Sequence, residues 1–160
     1  MKKIVELDAL DERILGIVQE DASLTVQEIG DRVGLSATPC WRRIKNLEAA
    51  GVIERRVAIV NPAAIGLGSV VFIFIRTSQH DAAWLETFAK SVRDIPEIVE
   101  CHRMGGVVDY LLKCVVRDIE HYDQVYKRLI STVPGLADVS AGFSMERLKQ
   151  VTRLDVTTAR

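Results

Sequence analysis

Apolar residues in the first third of the chain return at intervals of three and four: Leu10, Ile14, Ile17 and Val18 behind Asp8, then Leu24 and Ile29, then Cys40, Ile44 and Leu47. That spacing puts each set on one face of a helix, so three short helices are predicted. Asp8, with Asp11 and Glu12, suits the start of the first. The second is bounded on both sides. Thr25 and Glu28 have the spacing of a capping box, Leu24 and Ile29 that of a hydrophobic staple, and Gly34 offers the positive-φ residue that ends the helix near Val33. Leu35 plugs the turn, Ser36 or Thr38 caps the third helix, Pro39 is tolerated in its first turn, and Gly51 stops it. The expected core is Leu10, Ile14, Ile17, Val18, Ile29, Val33, Leu35, Ile44 and Leu47.

After residue 51 the pattern changes. Val52 to Val60 is β-prone and roughly alternating, which predicts a wing-like or linker strand broken by Asn61-Pro62. Ala63 to Gly68 then joins two modules. Beyond it come a strand over Ser69 to Thr77, a helix over Asp81 to Val92, strands over Ile98 to Met104 and Asp109 to Arg117, a helix over Ile119 to Ser131, and a strand over Leu136 to Leu148. That order is ferredoxin-like βαββαβ. Ile95-Pro96 and Val133-Pro134, each after a helix and before a strand, form a weak internal repeat. The first strand, VVFIFI, is apolar at every position, yet two helices can cover only one side of a four-stranded sheet, so a sheet-to-sheet homodimer is expected. The fold class is therefore α+β: a winged helix-turn-helix domain over residues 1–62, a linker over 63–68, and a ferredoxin-like domain over 69–160.

Charge adds a function to this layout. The 160 residues are 48% hydrophobic and 27% charged with a formal net charge of -1, so any nucleic-acid surface must be a local patch. Such a patch exists from Ser36 to Arg56, where Arg42, Arg43, Lys45, Arg55 and Arg56 face only Glu48 and Glu54. At about 100° per residue, Thr38, Arg42, Lys45 and Ala49 project away from the Cys40 stripe, with Trp41 and Asn46 on the flanks. In a helix-turn-helix, that face of the second helix enters the major groove of double-stranded DNA. The expected DNA-binding set is Thr25, Ser36, Thr38, Pro39, Trp41, Arg42, Lys45 and Asn46.

Other chemistry finds little support. Cys40, Cys101 and Cys114 lack C-x-x-C spacing and suit reduced thiols of a cytoplasmic protein. No apolar run approaches membrane-spanning length and the N-terminus lacks an export signal. His80, His102 and His121 are scattered, and Cys101 and His102 point to opposite sheet faces, so no metal site is expected. No phosphate-loop pattern and no nucleophile with a matching base appears, so no catalytic residues, no cofactor and no enzyme activity are expected.

The stretch from LDALDERILGIVQED through TPCWRRIKNLEAAGVIERR to NPAAIG resembles the N-terminal half of the leucine-responsive/asparagine regulator (Lrp/AsnC) family of transcription factors, and the match continues to the C-terminus. TPCWRRIKNLE with VPGLADVSAGFSME is similar to a subgroup that includes regulators of cysteine catabolism. The resemblance implies homodimers that often assemble into octamers, and a free amino acid as effector. It places the effector at the loop between the second and third strands of the second domain, which in the family reads Thr-Gly-acid-aromatic-Asp. Here Gly105, Gly106, Val107, Val108 and Asp109 correspond, so Gly106 and Asp109 match while the threonine, acid and aromatic do not. With Tyr110 these residues form the expected effector set, and the two valines suggest a small apolar or sulfur-containing amino acid. Locally, Asp109 reads equally well as a loop-capping carboxylate. The rival readings are an architectural DNA binder that needs no effector, and an enzyme subunit on a ferredoxin-like domain.

Overall fold

The computed structural model describes residues 4–159 and divides them into two units, one formed by the residues up to Ile59 together with those from Leu148 onward, the other by Val60–Arg147. The first unit holds helices α1 (Ala9–Glu20), α2 (Val26–Val33) and α3 (Ala37–Ala49). Each start is written locally. Asp8 caps α1, its Oδ1 accepting the Leu10 and Asp11 amides at 2.9 Å. Thr25 and Glu28 form the reciprocal box of α2, Thr25 Oγ1 accepting the Glu28 amide at 3.2 Å while Glu28 Oε2 accepts the Thr25 amide at 2.7 Å. Ser36 is the N-cap of α3 but makes no side-chain capping bond.

These helices close a core of Ile14, Leu15, Val18, Ile29, Val33, Cys40, Ile44 and Leu47, with Leu10, Ile17 and Leu35 partly buried around it. Leu15 was not expected there. Gly30 was not singled out either, yet a Cβ at that position would lie 2.6 Å from the Leu35 carbonyl oxygen, so the turn between α2 and α3 closes only over glycine.

The wing-like strand expected over Val52 to Val60 does not form. Glu54 to Asn61 have no regular structure, and Val57, Ile59 and Val60 are 60% exposed or more. A strand exists only through its ladder partner, and among the described residues the first unit contains none. Its last element is instead the C-terminal segment. The Gln19 side chain reads both backbone groups of Leu154, accepting its amide at 2.8 Å and donating to its carbonyl at 3.2 Å. Thr152 donates to the Gln19 carbonyl, Arg153 pairs with Glu20, and Val156 packs against the helical core.

The second unit is a four-stranded antiparallel sheet of order β2-β3-β1-β4, with β1 over Ser69–Thr77, β2 over Ile98–Arg103, β3 over Tyr110–Val116 and β4 over Leu136–Phe143. Helices α4 (Ala82–Arg93) and α5 (Ile119–Thr132) connect the strands. One sheet face, built from Val71, Ile73 and Ile75 of β1 and from Tyr110, Leu112, Cys114 and Val116 of β3, is buried with Trp84, Phe88, Val125 and Leu129 of the helices. The alternate residues Val70, Phe72, Phe74 and Leu111 remain half-buried on the opposite face. β4 stops at Phe143, short of the expected Leu148. Phe143 pairs with Val71 and the Ser144 amide with the Val70 carbonyl, which exhausts the strand it could pair with.

Candidate nucleic-acid interface and effector loop

The turn that presents α3 is tightly held. Gly34 takes φ +78° at the end of α2, the Leu35 amide donates to the Gly30 carbonyl at 2.8 Å, and the buried stripe of α3 does the rest: Cys40, Ile44 and Leu47 are at most 4% exposed. Burying three consecutive turns on one side leaves Thr38, Arg42, Lys45 and Asn46 exposed on the other, with Trp41 52% exposed beside them. Pro39 is half-buried in the first turn and Ser36 stands at its start. Seven of the eight expected DNA-binding residues thus belong to α3 and its cap. Thr25 stands apart at the start of α2, where its hydroxyl already donates to Glu28 Oε2 at 2.7 Å.

The basic patch is less uniform than the sequence suggests. Arg43 is a structural cation: its Nη1 donates to Asp8 Oδ2 at 2.7 Å and Asp11 Oδ1 at 2.8 Å, tying α3 to the first turn of α1. The Asp11 amide, then the Arg43 guanidinium, hold the Asp8 carboxyl below its ordinary range. Lys45 donates to Glu48 Oε2 at 2.7 Å, and Arg56 to Glu48 Oε1 at 3.3 Å. Among the described residues no ion pair engages Arg42 or Arg55. Sequence reasoning missed the roles of Arg43 and Glu48. The available signal was position, since Arg43 directly precedes buried Ile44 and so lies at the edge of the face that packs inward.

In the second unit, the loop from Met104 to Asp109 joins β2 to β3. Gly106 takes φ +140°, which other residues rarely adopt, and a Cβ at Gly105 would meet nothing within 4 Å. Val107 is 88% exposed and Val108 half-buried. Asp109 is bound on three sides: its carbonyl accepts from the Met104 amide at 2.8 Å, its amide donates to Ile75 at 2.9 Å, and its Oδ2 accepts from the Thr77 amide at 2.8 Å. The carboxylate thus binds the end of β1, while backbone groups of Met104 and Asp109 close the loop itself. Tyr110, the last residue of the expected effector set, lies in the core. It is 5% exposed, with its ring 4.5 Å from Phe88 and 5.8 Å from Trp84, because odd and even positions of β3 face opposite ways and Tyr110 falls on the helix side.

Elsewhere, Glu97 accepts from Arg128 at 3.3 Å and contacts buried His121 Nε2 at 3.1 Å. Burial pushes the Glu97 carboxyl up, but its own backbone amide, the His121 hydrogen bond and the Arg128 guanidinium hold it below its ordinary value. Burial pushes the Cys114 thiol up to about 11, and Cys101 is exposed on the edge strand β2. Among the described residues, no group of three or more His, Cys, Asp or Glu is placed to hold a metal ion, and no helix is long and apolar enough to cross a membrane.

Two family models match the chain: winged helix-turn-helix DNA-binding over residues 7–54, and the Lrp/AsnC ligand binding domain over residues 70–154. A glutamate uptake regulatory protein of Zymomonas mobilis subsp. mobilis is 49% identical over 151 residues, covering 94% of this chain and 92% of that protein. Among solved structures, an AsnC family transcriptional regulator from Agrobacterium tumefaciens is 47% identical with a TM-score of 0.91, over 95% of this chain and 99% of its own. A transcriptional regulator from Neisseria meningitidis in complex with L-Met is 32% identical with the same TM-score of 0.91, over 97% and 100%.

Proposed function

The chain belongs to the Lrp/AsnC family of transcriptional regulators, and we propose on that premise that it reads operator DNA through the exposed face of α3 and responds to a free amino acid at the 105–109 loop. The observation that carries the reading is the division of α3 into a buried stripe and an opposite face bearing Thr38, Arg42, Lys45 and Asn46. In a helix-turn-helix those side chain types address base edges and phosphates of the major groove. Arg42 is the first candidate for a base contact, since it is exposed and engaged in no ion pair. Trp41, Pro39 and Ser36 flank the reading face, and Thr25 at the amino end of α2 completes the proposed set.

For the effector, Gly105 and Gly106 let an anion approach backbone amides, and Asp109 offers negative charge to an ammonium. Val107 and Val108 supply apolar surface, which favours a small apolar or sulfur-containing amino acid, and the L-Met complex of the Neisseria relative is in keeping with that class. The half-buried sheet face of Val70, Phe72 and Phe74 supports a homodimer; further assembly to an octamer, in the cytoplasm, is the expectation that family membership adds. A second reading, an architectural regulator that needs no effector, draws support from the Asp109 carboxylate being already committed to Thr77.

The test has two arms. A duplex enriched by the wild type from a random library should lose about 1–3 kcal/mol of affinity with Arg42→Ala if Arg42 reads a base, at unchanged melting temperature. Wild-type affinity in that variant would remove Arg42 from the interface. Calorimetry with alanine, valine, leucine, methionine and cysteine should show heat for at least one, abolished by Asp109→Asn, which keeps an acceptor for Thr77 while removing the charge. No heat from any amino acid, with duplex binding intact, would favour the architectural reading.

A further inference from the structure

Of the five cations between Ser36 and Arg56, two are held by one carboxylate. Glu48 lies in the last turn of α3, three residues after Lys45, and presents one oxygen to the Lys45 ammonium at 2.7 Å and the other to the Arg56 guanidinium at 3.3 Å. Its side chain is 29% exposed, so it stays on the same solvent-facing surface as its partners. An acid in that position is unexpected on two grounds. It stands at the negative end of a helix dipole, where cations are preferred. It also cancels charge on the face that must meet a polyanion.

An ammonium has three donors, and Glu48 uses one. The remaining two suit a neutral acceptor, such as guanine O6 and N7, with the ion pair intact. A phosphate drawn to the same ammonium is brought close to the Glu48 carboxylate, and like charges repel. The neighbouring carboxylate therefore tolerates a base edge and penalises a phosphate. Non-specific binding to duplex is almost wholly a phosphate term, so the penalty falls mainly on wrong sequences.

We propose that Glu48 is a specificity-determining residue: by holding Lys45 and Arg56 it makes Lys45 a base reader rather than a phosphate binder, and so suppresses binding to non-operator DNA. This rests on the DNA-binding reading of α3: the absence of any duplex binding by the wild type would sink both, whereas the outcomes named below overturn this refinement alone. The experiment compares a random-sequence duplex with a duplex enriched by the wild type from a random library, using the full-length protein at several salt concentrations. Glu48→Gln should bind the random duplex about tenfold more tightly near 0.1 M salt, with a log–log salt slope steeper by about one unit. Affinity for the enriched duplex should change by less than about threefold, so the ratio between the two falls. Adding Lys45→Gln should remove the gain, which separates action through Lys45 from a general change of charge. The melting temperature should stay level or rise, since neutralising an acid at a helix C-terminus is favourable. An equal gain on both duplexes, a gain that survives Lys45→Gln, unchanged affinity for the random duplex, or weaker binding to both at an unchanged melting temperature would each overturn the proposal.

Discussion

Two apolar stripes in this chain meet different ends. Cys40, Ile44 and Leu47 of α3 are at most 4% exposed, because α1 and α2, each started by its own cap, close over them. Val70, Phe72 and Phe74 of β1 are as apolar and remain half-buried, because α4 and α5 both pack on the other face of the sheet. The helical unit completes its core within one chain and turns a charged face outward. The sheet unit does not, and its unfinished face is where a second copy is expected. Local capping chemistry thus goes with a self-contained reader, and non-local strand pairing with a half-covered platform.

The contrast is broken most severely at β1. Ile73 is fully buried on the helix side, and Ile73→Asp should cost on the order of 4 kcal/mol or more, from lost aliphatic burial and an unpaired buried carboxylate. Its neighbour Phe72 points the opposite way, so Phe72→Asp should give a folded protein of smaller mass. Light scattering and thermal melting distinguish the two, and wild-type mass and stability in both variants would refute the difference between the faces.

A gentler change probes how self-contained the helical unit is. Its last element is the C-terminal segment, clipped to α1 by the two hydrogen bonds between Gln19 and Leu154. Gln19→Ala should destabilise this unit by about 1–2 kcal/mol, two exposed hydrogen bonds with modest net worth each. Hydrogen exchange should quicken for the amides of residues 152–157 and of α1 while those of β1 and β3 stay protected. Uniform protection throughout would show that the clip carries no stability.

The smallest effect is expected from acid. In the helical unit Asp8, Asp21, Glu28, Glu48 and Asp155 are held below their ordinary values by hydrogen bonds from backbone amides, hydroxyls or cationic side chains; in the sheet unit Glu97 and Glu100 are. A carboxylate whose pKa is lower in the folded state contributes stability above its unfolded pKa, and that stability is lost as the pH falls through the folded value. Stability of the helical unit should therefore hold above about pH 5 and decline below the ordinary values of 4.5 for Glu and 3.8 for Asp, ahead of the sheet unit. Most of these groups are exposed and screened, so the decline is shallow. Single-tryptophan variants retaining Trp41 in one unit or Trp84 in the other read the two transitions separately, and earlier acid loss at Trp84 would reverse the expectation.

Much of the molecule is legible in the chain because its signals act over four residues or fewer. The α2 capping box, the acids that start α1, the glycine stop after α2 and the helical spacing of the α3 stripe determine where the helices run and which face carries Thr38, Arg42 and Lys45. The strand and helix order of the second unit follows from patterning in the same way. Tertiary structure decided what depends on distant partners. Residues 54–60 have β-prone side chains but no ladder partner, β4 ends where β1 runs out, and the C-terminal segment, expected as part of the sheet domain, is captured by Gln19 of the first helix. The same holds for charge. A sequence counts five cations on the basic stretch, but only the folded chain brings Asp8 and Asp11 to Arg43 and closes Arg56 onto Glu48, because ion pairing depends on distance in space and not on order along the chain.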